Sequence, residues 1–138
     1  MSTQPYNHGL TLNTDRQLSL SRLKSIFGTF CHDLDRVILG TPEVRSYPRE
    51  LRFNAIAFPE HLETNAHLHV HADLRGLSAR RTDQQVTEII YRIWRTATRG
   101  AGSVDVQKLQ GNGFAWYATK DARGMDPTYL LSSDFHPR

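Results

Sequence analysis

Two hydrophobic periods alternate along this chain. From Ser19 onward Leu20, Leu23, Phe27, Phe30, Leu34 and Val37 recur at three- and four-residue steps, and Gly40 ends the run. That spacing gathers the apolar side chains on one face and predicts an amphipathic helix up to Leu39. A connector with Pro42 and Pro48 follows, after which Leu51–Phe58 reads as a strand closed by Pro59. Beyond the polar break Glu63-Thr64-Asn65, the stretch Ala66-His67-Leu68-His69-Val70-His71-Ala72-Asp73-Leu74 alternates residue by residue, as a second strand. Two strands so close in sequence predict an antiparallel hairpin. Thr82-Asp83-Gln84-Gln85 has the form of a capping box and opens a second helix, with Val86, Ile89, Ile90, Ile93 and Ala97 on one face. Gly100 and Gly102 end it. Ser103–Leu109 predicts a strand, Gly111-Asn112-Gly113 a sharp break, Phe114–Ala122 a short helix closed by Gly124, and Tyr129–Leu131 a last strand.

Residues 1 to about 18 are polar and lack a clear period, so they read as a flexible N-terminal arm, leaving 19–138 as a single domain. The element order predicts an α+β fold, a central antiparallel β-sheet with flanking helices. The long first helix suits packing on that sheet, or a dimer surface.

Composition narrows the class. With 38% hydrophobic and 22% charged residues the chain fits an ordinary globule with a real core. It has no apolar run long enough for a membrane span and no basic-then-apolar leader pattern. A single cysteine, Cys31, excludes an internal disulfide and a thiolate cluster. Together these predict a cytoplasmic protein with no membrane partner.

A net charge of +3 permits a nucleic-acid partner without requiring one. The placement of the cations says more. Arg75 follows the histidine strand, Arg80 and Arg81 precede the second helix, and Arg123 follows the short helix. Such residues are candidates to hold phosphates and position a strand without reading its sequence. Arg92, Arg95 and Arg99 form either a solvated helix face or a phosphate-contacting edge. Trp94 and Trp116 are candidates for base stacking, and core packing accounts for either.

The candidate chemistry begins on the histidine strand, where His67, His69 and His71 point to one face and Leu68 and Val70 to the other. Two or three imidazoles on one face make a platform for a divalent metal, with either His67 and His69 or His69 and His71 as the pair. A turn centred on Thr64-Asn65 pairs Glu60 with His69 and Phe58 with His71. Glu60 then stands beside the histidines as an oxygen ligand, although a one-residue slip would throw it to the other face. His61 and Glu63 are further candidates nearer the turn. Two imidazoles and a carboxylate leave positions for water and a phosphate oxygen, which suits Mn²⁺ or Mg²⁺, and zinc would bind them too. In Trp116-Tyr117-Ala118-Thr119-Lys120-Asp121 the phenol of Tyr117 and the ammonium of Lys120 share a helix face. A phenolate stabilised by a cation is a candidate nucleophile for a phosphodiester.

A His-hydrophobic-His strand, then a helix and a strand, then a Tyr-x-x-Lys helix resembles the HUH endonucleases. It looks most like the single-tyrosine rolling-circle replication initiators (Rep-like nickases) of small plasmids, phages and circular single-stranded DNA viruses. The resemblance rests on His67-Leu68-His69 and Tyr117-Ala118-Thr119-Lys120-Asp121 and covers about residues 51–124. Leu51–Phe58 matches the family's first motif poorly, and His71 stands where these initiators commonly carry an aliphatic residue.

The resemblance implies a ferredoxin- or RRM-like sheet, and a divalent metal on His67 and His69 with Glu60 as third ligand. It implies attack by Tyr117 on single-stranded DNA, leaving a 5′-phosphotyrosine link and a free 3′-hydroxyl, with Lys120 stabilising charge on the phosphate or the tyrosine. Strand joining follows as the reverse reaction. No Gly-x-x-x-x-Gly-Lys loop occurs in the sequence, so unwinding and synthesis would fall to a host helicase and polymerase. Two other readings stay open. One is a non-catalytic nucleic-acid-binding module on the same fold; the other is a metal enzyme of another class, with the three histidines holding zinc or iron.

Overall fold

In the computed structural model residues 6–40, 53–109 and 129–135 are described. Five strands form one sheet in the order β4-β1-β3-β2-β5, with every neighbouring pair antiparallel. They are β1 (His8–Asn13), β2 (Asn54–Glu60), β3 (His67–Asp73), β4 (Ser103–Lys108) and β5 (Leu130–Leu131). The helices are α1 (Leu20–Leu39), the one-turn α2 (Arg75–Ser78) and α3 (Asp83–Ala97), with a 3₁₀ turn at Ser132–Phe135. β1 and β2 run parallel with β3 between them, and β3 and β4 run parallel with β1 between them. The chain is thus two interleaved split β-α-β units, the ferredoxin-like arrangement of an α+β fold.

Each helix is bounded by its own sequence. Ser19 accepts from the Arg22 N–H at the start of α1, and Gly40, at φ 69°, closes it with an N–H donated to Arg36. α3 opens on a complete capping box in which the Thr82 side chain accepts from Gln85 N–H and the Gln85 side chain accepts from Thr82 N–H. The apolar stripes of both helices lie on one face of the sheet. Leu10, Leu12, Ala55, Ala57, Leu68, Val70 and Ala72 meet Leu23, Phe27, Phe30 and Leu34 of α1 and Val86, Ile90 and Trp94 of α3. Phe30 and Trp94 join the two helices edge to face at 5.7 Å. Each such large side chain contributes about 1.5–3 kcal/mol by leaving water.

Residues 8–13, expected in a flexible arm, instead form β1, flanked on both sides by β3 and β4. Only Leu10 and Leu12 are apolar on its inward side, and Gly9, Thr11 and Asn13 face outward. The alternation is too short to declare itself, and the strand owes its place to partners far along the chain. β2 also runs past Pro59 to Glu60. There β2 has a partner on one side only among the described residues, because β5 reaches no further than Ile56 and Ala57, so the missing proline N–H is tolerated as on an edge strand. α2, too short to show a period, is an addition to the expected elements.

No helix among the described residues is long and apolar enough to cross a membrane.

Candidate metal centre

The sheet face turned away from α1 and α3 carries the histidines. Across it Glu60 pairs with His67, Phe58 with His69, and Ile56 with His71. On the other flank of β3, Asn13 pairs with His67, Thr11 with His69 and Gly9 with His71. The hairpin register differs by two residues from the one a Thr64-Asn65 turn would give. An even slip preserves side-chain parity, so Glu60 stays on the histidine face.

The slip is built into the loop. His61 sits at φ 53° and its carbonyl accepts from both Thr64 N–H (3.1 Å) and Asn65 N–H (2.9 Å), which turns the chain over a six-residue connection from 61 to 66. The loop is pinned from outside by the segment between β1 and α1. Leu18 N–H donates to Leu62 carbonyl (3.1 Å), Ala66 N–H to Arg16 carbonyl (2.8 Å), and Thr14 donates to Ala66 carbonyl through both N–H and hydroxyl. The stretch read as a loose arm therefore holds the turn that carries the site.

Four side chains converge here. One Glu60 carboxylate oxygen, Oε2, lies 3.5 Å from His67 Nε2 and 3.1 Å from His69 Nε2. The His67 and His69 rings meet edge to face at 5.0 Å, and His61 stacks on His67 at 5.3 Å. Glu60, His61 and His67 each offer one ligand atom, all within 4.8 Å of one another, so this cluster could hold a metal ion. His67, His69 and Glu60 side chains are 14%, 32% and 24% exposed, open enough for an ion to enter from solvent.

Tautomer chemistry favours a cation at this point. His67 Nδ1 lies 3.0 Å from the Asn65 carbonyl oxygen, which can only accept, so Nδ1 donates. In the neutral ring Nε2 then carries a lone pair, and that lone pair faces the Glu60 carboxylate. Two acceptors turned on each other need a positive charge between them, either a proton on the ring or a metal ion. A histidine whose second nitrogen donates to a backbone carbonyl is the usual arrangement of a metal-ligating imidazole.

His71 shares the face but not the cluster. It is 3% exposed and packs edge to face on Phe58 at 6.4 Å. Burial, and then the neighbouring His69, hold its imidazole below the ordinary histidine range. Glu63 is exposed in the turn.

The remaining candidates fall in three groups. Arg75 lies flat against Asp73, with Nε 2.9 Å from Oδ1, and Arg81 donates to the Leu77 carbonyl at 3.1 Å, while Arg80 is exposed. Trp94 is fully buried and its Nε1–H donates to Asn13 carbonyl at 2.8 Å, so it is a core residue and not a stacking platform. Tyr117, Lys120, Trp116 and Arg123, with the predicted helix that carries them, lie outside the described residues. The sequence reading missed Asn65, whose carbonyl sets the His67 tautomer. A backbone contact of this kind leaves no signal in residue type.

No family model, curated protein or solved structure matches this chain.

Proposed function

We propose that this protein is a metal-dependent nickase and strand transferase of single-stranded DNA, working through a covalent tyrosine link. The observation that carries the reading is the Glu60 carboxylate set between His67 Nε2 and His69 Nε2 on the middle strand of the sheet. Two imidazoles and one carboxylate, partly open to solvent, suit Mn²⁺ or Mg²⁺ with positions left for water and a phosphate oxygen. A cation bound there supplies Lewis-acid polarisation of the scissile phosphate.

The chain's own residues do the rest. His67 and His69 hold their rings on a strand buried in the middle of the sheet, and Asn65 fixes the His67 tautomer. Tyr117 gives up its phenolic proton to solvent, which returns one to the departing 3′ oxygen, and attacks phosphorus. A bond forms from its Oη to phosphorus, the bond to the 3′ oxygen breaks, and that oxygen leaves as a hydroxyl after taking up a proton. Lys120, three residues on, stabilises charge on the tyrosine or the phosphate. Return attack by the 3′-hydroxyl rejoins the strand. The role suits initiation of rolling-circle replication or processing of a related mobile element, with a host helicase and polymerase as partners.

The test is incubation of the protein with a labelled single-stranded DNA library and Mn²⁺, followed by a denaturing gel. The expected result is a shifted covalent band, lost with chelator and in Tyr117→Phe. DNA retention without an adduct from any sequence would instead indicate a non-catalytic nucleic-acid-binding module. No DNA binding at all would assign the histidines to a metal enzyme of another class.

A further inference from the structure

The helix layer, on the side of the sheet away from the histidines, carries a run of arginines that the metal chemistry does not use. Gln85, Glu88, Ile89, Arg92, Thr96 and Arg99 recur at three- and four-residue steps and so form one stripe along α3 and its end. Two concavities lie along it. The first, of about 360 Å³, is lined by Arg80, Arg81 and Arg92 with Gln85, Glu88 and Ile89. The second, of about 240 Å³, brings Arg22, Ser25 and Thr29 of α1 against Thr96, Ala97 and Arg99.

What these arginines share is that no carboxylate among the described residues pairs with them. Arg36 reaches Asp33 and Arg75 is clamped on Asp73, whereas Arg81 donates to the neutral Leu77 carbonyl. Among the described residues Arg22, Arg80, Arg81, Arg92 and Arg99 form no ion pair, and Glu88 is the one carboxylate in either concavity. Five guanidinium groups against one acid make a strongly positive stripe on a chain whose net charge is only +3.

We infer that this stripe is a second nucleic-acid contact, a track for the phosphate backbone remote from the metal cluster. Residues 85 to 97 of α3 span about 18 Å, room for several successive phosphates of a bound strand. A single phosphate needs one such concavity and leaves the other without a use. Guanidinium forks match phosphate oxygens two at a time, and the Ser25 and Thr96 hydroxyls beside Arg22 and Arg99 are of the type that join backbone contacts. Such a track reads charge and not sequence. It supplies affinity, while the opposite face supplies chemistry, so it stands whether or not the nickase reading holds.

The experiment is fluorescence anisotropy of labelled oligothymidine across a salt series, with wild type, Arg80→Gln/Arg92→Gln and Arg22→Gln/Arg99→Asn. Arg99 is given Asn because it sits at φ 59°, which Asn tolerates. All four side chains are exposed, so the fold is expected to survive, checked by circular dichroism. Both variants should bind more weakly, and the slope of log affinity against log salt should shrink by about 0.7 for each phosphate the variant no longer holds. Mn²⁺ binding should be unchanged in both, and loss of the covalent adduct in Tyr117→Phe should leave the track's salt slope intact. Wild-type affinity and slope in both variants would overturn the proposal. Displacement of the DNA by inorganic phosphate at equal phosphate concentration would also overturn it, in favour of a single-anion pocket. Equal displacement by polyglutamate would do so in favour of an acidic-protein surface.

Discussion

Glu60 stands directly opposite His67 across the β2–β3 pair, yet its carboxylate oxygen is closer to the diagonal neighbour His69, at 3.1 Å against 3.5 Å. The carboxylate thus leans along β3 and sits between two imidazole nitrogens instead of pairing with one. Cross-strand neighbours on one face are near enough for such sharing, and the diagonal reach comes from the length of the glutamate. Aspartate at this position would be a methylene short. The geometry is that of a group waiting for a cation with several ligand directions.

Glu60→Gln tests this without removing bulk. An amide N–H₂ can donate to an imidazole lone pair, whereas the carboxylate meets that lone pair as a second acceptor. The variant without metal is therefore expected to be as stable as wild type or slightly more so. Wild type should gain RT ln(1 + [L]/Kd) on adding MnCl₂, about 2.7 kcal/mol at a hundredfold excess over Kd. The variant should gain little. Thermal unfolding with and without MnCl₂ measures both, and an equal Mn²⁺ gain in the variant would remove Glu60 from the site.

The sequence shows this site unevenly. His67 and His69 were legible because strict alternation fixes a face whatever the partner strand does. Glu60 was legible for a subtler reason: the turn was misplaced by two residues, and an even error keeps parity. The bend at His61 that causes the slip depends on a left-handed backbone at a non-glycine residue, which composition does not announce. β1 was hidden because Leu10 and Leu12 are its only inward apolar side chains, and its stability comes from β3 and β4, both more than fifty residues away. Tyr117 and Lys120 rest on the sequence pattern alone.

Gly102 should be the least replaceable glycine beside the core. It sits at φ 107°, and an added Cβ would run into the Asn13 carbonyl oxygen while lying 3.0 Å from Trp94 Nε1. Those two atoms are joined by the partly buried hydrogen bond that ties α3 to β1. Gly100, at φ 86°, would meet only the end of the Arg95 side chain at 3.9 Å. Gly100→Ala should cost about 1–2 kcal/mol from left-handed strain alone. Gly102→Ala adds overpacking of about 1–3 kcal/mol. Urea unfolding of both variants decides the matter, and equal costs would mean that the Asn13–Trp94 contact yields freely.

Stability should fall on mild acidification, in part through His8. The side chain is buried at the edge of the core face, its Nδ1 2.8 Å from Asn7 Oδ1. Burial and then the charge of Lys108 push its imidazole below the ordinary range, against a weaker upward pull from Asp83 and Asp73. An imidazole that protonates less readily in the folded state gives the unfolded chain the advantage in acid. Its contribution is therefore flat above the unfolded value of about 6.5 and turns unfavourable as pH drops through it, levelling off below the folded value. His71 is shifted the same way and adds to the slope. In urea midpoints measured from pH 8 to about 5, His8→Gln should show a shallower decline than wild type. An undiminished slope would mean that His8 is as readily protonated folded as unfolded.

The choice between two overlapping ligand sets bears most directly on function. Glu60 and His67 belong to both, and the third member is either His69, 3.1 Å from the carboxylate, or His61, within 4.8 Å of the other two. His69 is held on a strand paired on both sides, whereas His61 is exposed in a turn at φ 53° and must lose more freedom to bind. Removing an outer-shell partner of a metal commonly costs about 10–100-fold in affinity, and removing a ligand should cost at least as much. By calorimetry with MnCl₂, His67→Ala and His69→Ala should each lose about 100-fold or more, and His61→Ala less than about tenfold. The reverse order for His61 and His69 would give the ion to the turn and not to the strand. His69 would then have no role in binding it, and the nickase reading would lose the paired strand imidazoles that support it.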